Sequence, residues 1–149
     1  MRQAHEVLVF VHRPGSEGEE FLVLHRAVDA YWHGLAGGLE DDETVEDAAL
    51  REILEESGLD ARGSLRATGD AFRYSLAEEP ERLESLPAGT IDIAVTCFEV
   101  EAPAGWEPAL DHEHDDYRWA PLAEAAALYR WDDARAALLH AGSLLEVRA

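Results

Sequence analysis

With 149 residues, 47% of them hydrophobic, the chain has the size of one ordinary domain with its own core, so a single domain over 1–149 is expected. The net charge is −20 and the chain has no lysine, which argues against DNA or an anionic membrane as a main partner. A lone cysteine, Cys97, excludes an intramolecular disulfide and a cysteine metal cluster, and the early apolar run at 7–11 is far too short to span a membrane. A soluble, cytoplasmic protein is expected.

In chain order, Glu6 to His12 and Glu20 to Arg26 are β-rich runs separated by Pro14, Gly15 and Gly18, which predicts a hairpin. The segment from Ala30 to Gly38 carries the aromatic pair Tyr31 and Trp32 into a glycine-rich bend. Thr44 then caps a helix that runs to about Ser57 and stops at Gly58. Residues 61–76 read as an irregular strand, and 77–90, with Pro80, Pro87 and Gly89, as a mobile polar loop. Residues 91–102 alternate at first and then run continuously apolar, the mark of a strand in the middle of a sheet. A short strand near Tyr117 to Leu122 and two helices, from about 121 to 130 and from about 132 to 145, complete the order. A hairpin, a glycine turn, a helix, more strands and two closing helices indicate an α+β fold, with helices packed on a mixed sheet.

The stretch from Gly37 to Leu59 holds nine acidic residues and one arginine. On a helix, Val45, Ala49 and Ile53 fall on one face, broadened by Leu50 and Leu54, and this stripe is expected to face the core. Glu52, Glu55 and Glu56 stand in the i, i+3, i+4 relation, so their carboxylates share one turn. Like charges so placed cost about 0.2–0.5 kcal/mol per pair, and only Arg51 lies close enough to relieve them. Convergent carboxylates suit a hard divalent cation, Mg²⁺ or Mn²⁺, which turns the repulsion into binding. The alternative is a solvated acidic helix in a chain that is acidic throughout.

Gly37, five residues, Glu43, seven residues and then Arg51-Glu52-Ile53-Leu54-Glu55-Glu56-Ser57-Gly58-Leu59 resembles, without a mismatch, the signature of the Nudix hydrolases. The resemblance implies an α/β/α sandwich around a mixed sheet and hydrolysis of nucleoside diphosphates linked to another group. It implies that Glu52, Glu55 and Glu56 hold the divalent metal with the Gly37 carbonyl, that Glu43 and Arg51 shape loop and helix by ion pairing, and that any of the glutamates can assist the water. Where many relatives carry a proline and a glycine before the glutamate, this chain has Asp41 and Asp42. Asp42 is therefore expected in an unusual backbone conformation, which aspartate tolerates better than most residues.

Outside that stretch, residues 21–44, 91–103 and 113–138 look similar to the dihydroneopterin triphosphate pyrophosphatase branch. There a glutamate-histidine pair precedes a tyrosine and a tryptophan, a pattern matched by Glu113, His114, Tyr117 and Trp119. Glu113 is thus a candidate metal ligand or general base, against the plainer reading of one acid in an acidic run. His112 and His114 could bind zinc, but no further ligand cluster supports it. Arg26 is a candidate for substrate phosphates through its planar donor fork, or for neutralising a neighbouring acid. Trp32 is the aromatic residue expected to stack on a base or pterin ring.

The function so implied is an Mg²⁺-dependent pyrophosphohydrolase of a nucleoside triphosphate-like compound, either dihydroneopterin triphosphate or a (deoxy)nucleoside triphosphate. Dinucleoside polyphosphates and ADP-ribose stand as alternatives, as does a non-catalytic binding module of the same fold. Retention of all three helix glutamates counts against the last.

Overall fold

A computed structural model describes residues 3–77 and 79–148. The first two strands, β1 (His5–Gly15) and β2 (Gly18–Arg26), form the expected hairpin, but they pair only near its tip, from Gly15 opposite Gly18 to His12 opposite Phe21. Below the tip the strands part. The chain then places β3 (Trp32–His33) against β2 and β4 (Leu35–Gly38) against β1, with Gly37 opposite Val7. The glycine-rich bend of the sequence is thus two short strands at the fork of the hairpin.

The helix α1 (Val45–Ser57) starts and stops where the sequence predicts. The Thr44 side chain accepts from the Asp47 amide, and Gly58, at φ 80°, donates its N–H to the Leu54 carbonyl. The next strand, β5 (Arg66–Ser75), has a register shift between Ala67 and Ala71, and β6 (Asp92–Glu101) lies between β5 and β1. Pairing of β6 with β1 is parallel along its length, the other ladders are antiparallel, and the sheet of seven strands is therefore mixed. The strand β7 (His114–Pro121) pairs with β2 and begins earlier than its apolar pattern indicates, at a histidine. Two helices, α2 (Leu122–Leu128) and α3 (Asp132–Arg148), close the fold.

Alternation along β1 builds both cores. Val7, Val9 and Val11 pack with Ala48, Ala49 and Ile53 of α1, while Leu8 and Phe10 pack on the other face with Ala125 of α2 and Leu138 of α3. Helices on both faces of one sheet make the α/β/α sandwich. Among the described residues, no helix is long and apolar enough to cross a membrane.

Two expectations need correction. Leu54 does not broaden the buried stripe of α1: it is 55% exposed, and the inward face comprises Ala48, Ala49, Glu52, Ile53 and Glu56. At 100° per residue the sheet-facing arc runs through these positions, and Leu54 lies past its edge. The segment read as a mobile loop contains a 3₁₀ helix (Pro80–Ser85) fastened to the sheet. Arg82 donates to Glu6 at 3.0 Å, to the Tyr74 hydroxyl at 2.9 Å and to Glu79 at 2.9 Å, and Leu86 enters the core.

Candidate active site

The loop before α1 is shaped by its own side chains. Asp42 adopts φ 67°, as the missing glycine predicts, and the Glu43 carboxylate accepts from the Glu40 amide at 2.7 Å. Arg51 clamps the loop: it donates twice to Glu43, at 2.8 Å each, and to the Gly38 carbonyl at 2.9 Å. It also reaches Glu52 at 2.9 Å and Glu55 at 3.4 Å. A planar fork touching both loop and helix fixes their relative position in a way that a point charge could not. The same guanidinium holds the Glu43 carboxyl below its ordinary range.

Gly37 is required by contact. A Cβ there would lie 2.1 Å from the Glu52 carboxyl carbon and 2.3 Å from one of its oxygens. The backbone of β4 and the carboxylate of α1 are therefore in direct apposition.

The helix glutamates do not share one exposure. Glu55 is exposed, but Glu52 is 6% and Glu56 only 2% exposed, so Glu56 lies on the sheet-facing side of α1 rather than on its exposed side. Among the described residues, neither Glu56 carboxylate oxygen has a hydrogen-bond partner. Burial, then the neighbouring Glu52, and beyond it Asp111 and Glu113, push the Glu56 carboxyl far above the usual carboxylate range. Burial raises Glu52 as well, against the pull of Arg51.

The loop before β7 closes the site from the other side. His114 Nε2 lies 3.5 Å from Glu56, and its Nδ1 is 2.8 Å from Asp111. Glu113 is exposed; its backbone carbonyl accepts from Ala27, and its carboxylate lies 3.4 Å from the Arg26 guanidinium. Among the described residues, Arg26 Nε is buried without a hydrogen-bond partner, as is Nδ1 of His33. Burial, Arg26 and His114 together lower His33 to about 4, so its ring is neutral.

Glu52, Glu56, Gly37, Glu113 and Arg26 thus converge around the start of β7, with Glu55 at the exposed edge. Trp32 does not join them. Its ring lies 4.9 Å from His25 and 4.8 Å from the Arg118 guanidinium, and it packs against the core under α2 and α3. The aromatic residues linked to the site are instead Tyr31 and Trp131, with rings 4.8 Å apart, and Trp131 stands 5.5 Å from His33. The sequence reading did not single out Trp131, His33 or Asp111. The one available signal was the tryptophan just before α3, directly after the arginine at 130, because long-range apposition of 31, 33 and 131 has no periodicity to reveal it.

The arrangement fits a divalent cation. A carboxylate buried without a hydrogen bond is costly unless a proton or a cation compensates it, and here the second carboxylate, Glu52, adjoins Glu56 and itself abuts the main chain at Gly37. Glu52 and Glu56 with the Gly37 carbonyl would hold such an ion, with Glu55 at its solvent side.

Comparisons with known proteins agree with this geometry. The sequence pattern of the NUDIX domain matches residues 3–141. An RNA pyrophosphohydrolase of Wolbachia sp. subsp. Brugia malayi (strain TRS) is 40% identical over 63 residues, which cover 42% of this chain. The match spans only 39% of that relative's length. A crystal structure of a NUDIX hydrolase from Listeria monocytogenes superposes with a TM-score of 0.82 at 25% identity, covering 97% of this chain and 95% of the other. The E. coli dihydroneopterin triphosphate pyrophosphohydrolase superposes with a TM-score of 0.78 at 22% identity over 99% and 98% of the two chains, a likeness of fold. The chain belongs to the NUDIX domain family.

Proposed function

We propose that the chain is a divalent metal-dependent pyrophosphohydrolase that cleaves a pyrophosphate linkage in a nucleoside triphosphate-like small molecule, dihydroneopterin triphosphate or a (deoxy)nucleoside triphosphate, using Mg²⁺ with Mn²⁺ as a substitute. The observation that carries this reading is Glu56, buried and, among the described residues, without a hydrogen bond to either carboxylate oxygen, beside Glu52, which itself abuts Gly37. A solvated acidic helix would turn these groups outward.

Mg²⁺ bound there supplies charge for a polyanionic substrate and acidity for water. The chain's own residues do the rest. Arg26, with its Nε unpartnered, offers N–H donors to phosphate oxygens at the end of β2. Glu113, exposed and within 3.4 Å of Arg26, accepts the proton of the attacking water or adds an oxygen ligand. Glu52, held by Arg51, and Glu56 keep their carboxylates fixed, so that no reorganisation is needed as charge develops on the phosphoryl group. Tyr31 and Trp131, edge to face, present the aromatic surface on which a base or pterin ring stacks, with the Arg130 guanidinium 5.4 and 5.2 Å from their rings. A net charge of −20 favours small substrates neutralised by a metal over a long RNA, whose phosphates need many cationic contacts.

The test is release of phosphate and pyrophosphate from dihydroneopterin triphosphate, nucleoside triphosphates, dinucleoside polyphosphates and ADP-ribose, with Mg²⁺ or with EDTA. Turnover of a triphosphate that EDTA abolishes is expected. Turnover of ADP-ribose or a dinucleoside polyphosphate alone would move the assignment to that substrate class, and silence with every compound would favour a non-catalytic module.

A further inference from the structure

Along β7, Tyr117 and Trp119 pack on the α1 side of the sheet, and strict alternation would send His114 to the opposite side. A bulge prevents this. The ladder with β2 shifts register there: Asp116 stands opposite His25 but His114 opposite Arg26, so Asp115 is passed over and the histidine turns to the α1 side. The strand thus departs from its own pattern at the residue that reaches Glu56.

His114 is buried and is oriented from behind. Its Nδ1 lies 2.8 Å from Asp111, whose carboxylate also accepts from the Glu113 amide at 3.3 Å. That carboxylate fixes the Nδ1 proton, and Nε2 is the nitrogen left to face Glu56. It does so at 3.5 Å, longer than a hydrogen bond, and among the described residues neither Glu56 oxygen has such a bond. Two ligand-type atoms on buried side chains therefore meet without bonding to each other. The 3.5 Å gap has room for an ion, because bonds of about 2.1 Å to both atoms span it at an angle of roughly 110°. A histidine that gives one N–H to a carboxylate and turns its other nitrogen to a ligand position is also the arrangement that orients metal-bound imidazoles.

We infer that His114 Nε2 is a nitrogen ligand to the divalent ion held by Glu56, with Asp111 as the positioning residue behind it. The inference rests on the metal-dependent reading above and extends it to the choice of ion. Carboxylates and a main-chain carbonyl suit Mg²⁺ and Mn²⁺ alike, whereas an imidazole adds a preference for borderline ions such as Co²⁺ and Zn²⁺. His114→Gln removes that preference and keeps the site able to bind a hard cation, because the glutamine oxygen reaches about as far as Nε2.

The test is pulsed EPR of the full chain carrying one equivalent of Mn²⁺, without substrate. Nuclear modulation from a directly bound imidazole nitrogen is expected in wild type and is expected to vanish in His114→Gln. Co²⁺ binding should weaken at least about tenfold in that variant while Mg²⁺ binding stays within about threefold of wild type. Because His114 is buried and the variant could fail to fold, the nitrogen shifts of the His114 ring in wild type are read as Zn²⁺ is added: Nε2 is expected to move as its lone pair is taken, with Nδ1 keeping its proton. Mn²⁺ bound without nitrogen modulation, modulation that persists in His114→Gln, or an unmoved Nε2 would overturn the ligand, and His114 would then be an imidazolium between Glu56 and Asp111. Failure of wild type to bind Mn²⁺ at all would overturn the α1 metal site together with this ligand.

Discussion

Glu113 and His33 are both neighbours of Arg26 and test different parts of the account. Glu113 is exposed and tied only loosely to Arg26, so Glu113→Gln is expected to fold normally and to lower turnover less than loss of a helix glutamate. If Glu113 takes the water's proton, the acidic limb of the rate–pH profile disappears; if it is a ligand, the Mg²⁺ concentration for half-maximal rate rises. An unchanged rate, profile and metal dependence would return it to the solvated surface. His33 is read by stability. Its folded pKa, about 4, lies below the ordinary 6.5, so as pH falls through this window the unfolded chain takes the proton and the folded chain does not. Stability from this group is therefore complete above about 6.5 and declines toward about 4, by up to about 3 kcal/mol. Urea unfolding of wild type and His33→Asn between pH 4 and 7 should show a shallower slope in the variant. Equal slopes would mean that the ring is charged or solvated in the folded state.

At the scale of the element, the hairpin fork, the loop and α1 act as one unit. Gly37 is the joint: β4 can approach α1 only because nothing projects from it toward Glu52. Gly37→Ala is expected to lower turnover at least about tenfold, because the new methyl displaces the Glu52 carboxylate by roughly 1 Å, while the Tm falls only modestly. Turnover within twofold of wild type would show that Glu52 can shift without consequence. Much of this unit was legible in the sequence: the Thr44 cap and the Gly58 stop were read from local chemistry, and the unusual Asp42 backbone from the chain's departure from the Nudix pattern. Which way Glu52 and Glu56 point was not, because periodicity places charged residues outward and contains nothing about a strand arriving at Gly37. The 3₁₀ helix at 80–85 was missed for a similar reason. Its hold depends on Arg82 meeting Glu6, 76 residues away, while its own composition reads as loop.

For the whole molecule, the order of strands and helices and the split of apolar residues along β1 were enough to indicate helices on a mixed sheet. The parallel pairing of β1 with β6 and the division of β1's other edge between β2 and β4 are long-range choices with no local signature. They matter for function because they bring three separate stretches of chain to one place: 26–37, 52–56 and 111–114. The α1 glutamates were found from spacing. Their burial, the closing of Asp111 and His114 over Glu56, and the side of the sheet to which Trp32 belongs required the fold.

The central claim is that Glu56 is buried to bind a divalent metal for hydrolysis and contributes nothing to the fold in its charged form. The most direct measurement compares Mg²⁺-dependent triphosphate turnover and metal-free thermal stability in wild type and Glu56→Gln at pH 8. Without metal, a raised carboxyl pKa costs stability as pH rises above the ordinary carboxylate range, and an amide has no charge to desolvate. The account predicts turnover lower by orders of magnitude together with a melting temperature equal to or above that of wild type. Near-normal turnover in the variant would contradict it.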